Sequence, residues 1–162
     1  DAEALPDTWD LHIVGDGPER ESIERLIASS GSQAASRIHL LGYKSGEDLQ
    51  REVGNARFSV LSSEWRENMP YSGLESLVAQ TPIIGADIGG IPELVEEGRT
   101  GFTFESGNIA DLKDGLLKAA AVGEDVYGTM QRQCSEYVTT RCAQQTYAER
   151  LVERYTRLIG KR

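Results

Sequence analysis

The feature that most constrains this chain is an alternation. Five short runs, LHIVG (11–15), RIHLLG (37–42), RFSVLSS (57–63), PIIGA (82–86) and GFTF (101–104), are separated by segments with helical periodicity. In ERESIERLIASS (19–30), Ile23, Leu26 and Ile27 fall at i, i+3 and i+4, which places one apolar stripe on a helix. Ser45 with Asp48 has the spacing of a capping box and predicts a short helix through about Val53. Residues 70–80 predict a helix with Leu74, Leu77 and Val78 facing the core. Ile91 to Glu97 predicts another, with Pro92 in its first turn and Gly98 just past its end. Asn108 with Asp111 predicts an N-cap, and the remainder to Arg162 reads as helical. Short connections between strand and helix predict one Rossmann-like α/β domain over residues 1–162, its parallel sheet covered by helices on both faces. PIIGA, apolar throughout, predicts a strand buried on both faces, and LHIVG reads as buried too.

A chain of 162 residues is long enough for a core of its own. Its net charge of −9 argues against nucleic acid or an anionic membrane surface as partner, since both require phosphate-neutralising cations. No apolar stretch has the length of a membrane span. Cys134 and Cys142 have no CxxC pair or histidine cluster beside them, so they are expected to be two reduced, structural thiols of a cytoplasmic protein, and no metal is expected.

In parallel sheets ligands bind beyond the C-terminal ends of the strands. The loop ENMP (67–70) leaves the third strand and leads into a helix. A helix N-terminus attracts anions. Pro70 brings no N–H, but the amides of Met69, Tyr71 and Ser72 remain. Glu75 lies on the helix face of Tyr71 and Ser72 and tilts back toward the first turn. A carboxylate there can accept from both ribose hydroxyls of a nucleotide, and Glu67 from hydroxyls of an attached sugar. The arrangement suits a nucleoside diphosphate sugar. The same spacing also arises from glutamates that only meet the helix dipole, and the loop by itself does not choose between them.

Other groups stay open at this level. Gly15 to Pro18 is either a phosphate loop or a tight turn lining the cleft, without the G-x-G-x-x-G spacing or a P-loop lysine. Gly89-Gly90 predicts unusual backbone geometry before Pro92, and Asp87 serves a turn or cap as readily as a site. His12 and His39 read as core or edge histidines, while Trp9 and Trp65 are expected to pack.

Several of these pieces occur together. E-N-M-P-Y-S-G-L-E (67–75) is followed by Thr81-Pro82-Ile83-Ile84, by Asp87-Ile88-Gly89-Gly90-Ile91-Pro92-Glu93 and by Gly98-Arg99-Thr100-Gly101, with VGDGPE (14–19) and IHLLGY (38–43) upstream. Over roughly residues 10–110 this order resembles the donor-binding half of family 4 (group 1) retaining glycosyltransferases, which have the GT-B fold. The resemblance implies transfer of a sugar from a nucleoside diphosphate sugar, with retention and without a metal or other cofactor. It implies that Glu75 holds the ribose, that Glu67 meets the donor sugar at the reacting centre, and that Asn68 and the amides of Met69, Tyr71 and Ser72 serve the diphosphate. Gly15 lines the same cleft, and Tyr43 stands where the family's backbone meets the base, or is a surface aromatic.

The chain departs from the family pattern in the loop, where Asn68 and Met69 replace glycine and an aromatic, and in the helix, where Ser76 and Gln80 replace small residues. The family's preceding strand, with its Gly-Arg loop and Lys-Gly pair, and its acceptor-binding N-terminal domain have no counterpart. The chain is therefore read as a fragment of the donor domain, with little turnover alone and an unknown acceptor held mainly by the absent part. A non-catalytic nucleotide-sugar-binding or scaffold module, or a sugar-nucleotide epimerase, would share these features.

Overall fold

The computed structural model describes residues 5–142 and 144–160; the helical reading of positions 143, 161 and 162 lies outside them. Contacts cluster into two units, residues 1–52 and 53–162.

The first unit contains β1 (Leu11–Val14), α1 (Arg20–Ser29), α2 (Ser32–Ala35), β2 (Ile38–Gly42) and most of α3 (Gly46–Asn55). β1 and β2 pair in parallel, from Leu11 opposite Ile38 to Val14 opposite Gly42. Helix α2, separated from α1 by Gly31 at φ +90°, is too short to leave a periodic signal in the sequence. The expected burial of β1 is not met. Leu11 is 45% exposed, and none of residues 5–52 is buried. A two-stranded ladder is too narrow to close a dry layer. Polar contacts hold it in addition: the His12 and His39 rings meet edge to face at 5.3 Å, and Glu52 receives His12 at 3.1 Å and Lys44 at 2.6 Å.

The second unit runs β3 (Ser59–Leu61), α4 (Tyr71–Val78), β4 (Ile83–Ala86), α5 (Ile91–Leu94), β5 (Gly101–Phe104), α6 (Ile109–Ala120), α7 (Glu124–Arg141) and α8 (Gln144–Ile159). Its sheet has the order β3-β4-β5, parallel throughout. β4 is central and, as its apolar run predicts, buried along its whole length. A Cβ added to Gly85 would meet Ile91 and Val95, so that face belongs to α5; Gly115 of α6 stands against Ile84 on the other. Helix α7 places Met130, Cys134 and Tyr137 in the core, at i, i+4 and i+7. Asn108 caps α6, its side chain accepting from the Asp111 N–H at 3.1 Å.

Four expectations are corrected here. The buried face of α4 is Gly73, Ser76 and Leu77, while Val78 is 65% exposed. The helix is turned by small residues: a Cβ on Gly73 would lie 2.6 Å from Leu94 Cδ1 and 3.1 Å from Leu61 Cδ1, so only glycine lets α4 come this close. The Ser76 hydroxyl donates to the Ser72 carbonyl and shares a hydrogen bond with Ser59, both at 2.9 Å. Second, α5 stops at Leu94, because the Thr100 hydroxyl donates to the Leu94 carbonyl and accepts from the Glu96 N–H; Gly98 serves the turn that follows, donating to Gly101. Third, β3 is only three residues long. Fourth, Cys134 is a buried structural thiol, but Cys142 is exposed. Among the described residues no helix is long and apolar enough to cross a membrane.

Candidate functional site

Three loops leave the C-terminal ends of β3, β4 and β5, and hydrogen bonds tie them together. The Gly90 N–H donates to the Glu67 carbonyl at 2.7 Å, the Ser106 hydroxyl to the Ser63 carbonyl at 3.2 Å, and the Asp87 N–H to the Phe104 carbonyl at 2.7 Å. Asp87 therefore works through its backbone, extending the ladder past β4. An open hollow lined by residues 105–110 lies at the end of β5. The sequence reading did not single it out, since Ser-Gly-Asn after a strand signals no more than a turn and a cap.

Gly89 and Gly90 are the unexpected part of the site. A Cβ on Gly90 would stand 1.8 Å from the Asn68 carbonyl oxygen, and one on Gly89, at φ +58°, 2.5 Å from that of Glu67. The unusual geometry predicted for the pair is present at Gly89. What it accommodates is the backbone of Glu67 and Asn68, a partner that two adjacent glycines cannot announce. The loop carrying Glu67 thus rests on a seat of bare backbone.

Pro70 is the N-cap of α4 and is buried; it offers no side-chain acceptor, and its carbonyl takes the N–H groups of Gly73 at 3.1 Å and Leu74 at 3.3 Å. The amides of Tyr71 and Ser72 belong to the first turn, where a helix supplies no acceptor of its own. Around them Glu67, Asn68, Met69, Tyr71, Ser72 and Glu75 are all exposed. With Gly73, Ser76 and Leu77 turned inward, Glu75 lies on the outer face, one turn past Tyr71. The structure therefore brings these six predicted residues together at one loop–helix junction.

Gly15 and Tyr43 belong to the first unit, at the C-terminal ends of β1 and β2. Gly15, at φ +136°, donates to the Gly42 carbonyl, Asp16 accepts from the Gly17 N–H at 2.9 Å, and the Arg20 N–H donates to the Gly17 carbonyl at 3.1 Å, a tight turn that leads into α1. Tyr43 is 78% exposed. Trp9 is half-buried, but Trp65 is 82% exposed, which corrects its expected packing: its loop runs along the open end of the sheet, away from the layers that bury apolar rings. Among the described residues no three His, Cys, Asp or Glu side chains are grouped to hold a metal.

A family model described as "Glycosyl transferases group 1" matches residues 2–121. Alpha-D-kanosaminyltransferase of Streptomyces kanamyceticus is 31% identical over 65% of this chain and 27% of its own length. N-acetyl-alpha-D-glucosaminyl L-malate synthase of Bacillus anthracis is 28% identical over 90% of this chain and 35% of its own. The chain thus spans about a third or less of the length of these curated relatives. Among solved structures, HepE of Anabaena in complex with UDP superposes with a TM-score of 0.77 at 21% identity, covering 96% of this chain and 43% of that one.

Proposed function

From its membership of the group 1 glycosyl transferases, with their GT-B type of fold, we propose that this chain is the donor-binding part of an enzyme that moves a sugar from a nucleoside diphosphate sugar to an acceptor with retention. The observation that carries the reading is the exposed, uncapped first turn of α4 standing between Glu67 and Glu75. The Tyr71 and Ser72 amides and the positive end of α4 face the diphosphate and stabilise the charge left on it as the glycosidic bond breaks. Losing one such donor costs about 3 kcal/mol of barrier. Glu75 accepts from the ribose hydroxyls, and Glu67 from the donor sugar at the reacting centre. Asn68 and Met69 complete the loop. The relatives support this: one is named for kanosaminyl transfer, and the HepE structure holds UDP. The reading assigns charge stabilisation to protein groups and requires no metal.

Thermal shift against a panel of UDP, GDP and ADP sugars tests it. One nucleotide class should stabilise the protein, and Glu75→Ala should weaken its binding by about 10- to 100-fold, the value of a charge-assisted hydrogen bond. Undiminished affinity in that variant removes the ribose role.

A further inference from the structure

The two segments that carry the acidic side chains of the junction rest on the same short helix. Gly90, the N-cap of α5, has φ −91°, a value that any residue adopts, so its backbone conformation does not call for glycine. Space does. A Cβ there would stand 1.8 Å from the Asn68 carbonyl oxygen, where real Cβ contacts stay beyond 3.0 Å. The Gly90 N–H adds its hydrogen bond to the Glu67 carbonyl at 2.7 Å. At the other end of α5, Leu94 meets α4: its Cδ1 lies 2.6 Å from where a Cβ on Gly73 would be, so it limits how close the helix bearing Glu75 can come. α5 is itself firmly placed. Ile91 and Leu94 are fully buried, and the Tyr137 hydroxyl of α7 donates to the Glu93 carbonyl.

On the donor reading above, on which this step rests, Glu75 holds the ribose and Glu67 the attached sugar. The separation of these two acceptors has to match the diphosphate between them. A loop free to shift would lose part of the binding free energy in ordering its own backbone. The loop of Glu67 is spared that loss, because backbone lies directly on backbone and no rotamer lets the contact give.

We infer that Gly90 is a positioning residue: with Leu94 at the far end of α5, it keeps Glu67 and Glu75 at the separation that a nucleoside diphosphate sugar spans. Gly90 acts through Glu67, so its loss is felt at the sugar end of the donor and not at the nucleotide. Calorimetric affinities for UDP and UDP-glucose, ADP and ADP-glucose, and GDP and GDP-mannose separate those two ends. The pair that shifts the Tyr71 and Ser72 amides in NMR spectra is the one followed. Gly90→Ala should weaken binding of the sugar nucleotide about 10- to 100-fold, the value of a charge-assisted hydrogen bond, and leave the nucleoside diphosphate within about two-fold. Gly123→Ala, where nothing lies within 4 Å of the new atom, should change neither. Added to Glu67→Ala, Gly90→Ala should cost nothing more, since both remove the same contact. Undiminished sugar-nucleotide affinity, equal losses for both ligands, or a full second loss in the double variant overturns the positioning role and leaves the donor site standing. Should Gly90→Ala fail to fold, the unaltered protein gives the answer: the Gly90 amide should shift with the sugar nucleotide and not with the diphosphate alone, and an unmoved Gly90 amide overturns the role. Absence of any effect of the three pairs on Tyr71 and Ser72 overturns the donor reading and the positioning role with it.

Discussion

β1 and β4 are both four-residue parallel strands that open a strand–helix unit, yet Leu11 in one is 45% exposed while Ile83 and Ile84 in the other are fully buried. β4 has a hydrogen-bonded neighbour on each edge, with α5 over one face and α6 over the other. β1 has β2. What separates them is the number of layers that meet at the strand. Apolar side chains repay their ordering only where packing removes them from water on all sides. The second unit reaches that condition, and the first combines half-buried side chains with ion pairs.

The sharpest way to break this comparison is a pair of glycine substitutions. A Cβ at Gly101 would stand 1.8 Å from the Ile83 carbonyl oxygen, so Gly101→Ala must push β5 off β4. It should cost more than about 4 kcal/mol or leave the unit unfolded in urea denaturation followed by circular dichroism. Gly31→Ala also forces a left-handed residue, at φ +90°, but nothing lies within 4 Å of the new atom; its cost should be about 1–2 kcal/mol. Equal losses would mean that the tight packing around β4 is not what holds the second unit.

A second pair probes side chains. Leu77→Ala empties a fully buried site and should cost about 2–5 kcal/mol. Leu26→Ala, at a position 69% exposed, should change stability by less than about 0.5 kcal/mol. The cysteines supply the measurement. Cys134 is fully buried, and burial pushes its thiol up to about 12, so at mild alkaline pH a disulfide reagent should react with exposed Cys142 and reach Cys134 only through opening of the core. Leu77→Ala should accelerate the second reaction, and Leu26→Ala should leave it unchanged.

The smallest effect sharpens the comparison from the other side. Hydrogen bonds from Lys44 and then His12 hold the Glu52 carboxyl below its ordinary value of 4.5. A depressed carboxyl stabilises the fold above its unfolded pKa, and that contribution is lost as pH falls through the lower, folded value. Acidification below 4.5 should therefore loosen the first unit, seen as shifts of the His12, Lys44 and Glu52 amides in a pH titration. Glu52→Gln should show the loosened pattern already at neutral pH, with the amides of β4 unmoved. An acid transition that begins in β4 instead would reverse the assignment.

How far the sequence could be read depended on whether the information was local. The Asn108 cap was legible because its donor is three residues away, and the strand GFTF because its ends are marked by glycine and by that cap. The six residues of the loop–helix junction were legible as a group because they are contiguous. The seat that Gly89 and Gly90 form under Glu67 was not, since the two segments lie more than twenty positions apart. Nor was the exposure of Trp65, which depends on where the loop runs and not on its neighbours in sequence.

By itself, the amino-acid sequence determined the alternation of the five strands with the longer helices and the parallel pairing that crossovers impose, and it carried the motif with two glutamates by which the chain resembles its family. The alternation follows from periodicity and turn chemistry, which act over a few residues. Tertiary structure alone decided which face of α4 turns inward, where α5 stops, and why β4 is dry while β1 is wet. Each of these is an outcome of close approach between distant segments: a missing side chain at Gly73, a hydroxyl at Thr100, a strand on either edge of β4. Contacts of that kind have no period, so they exist only once the layers have met.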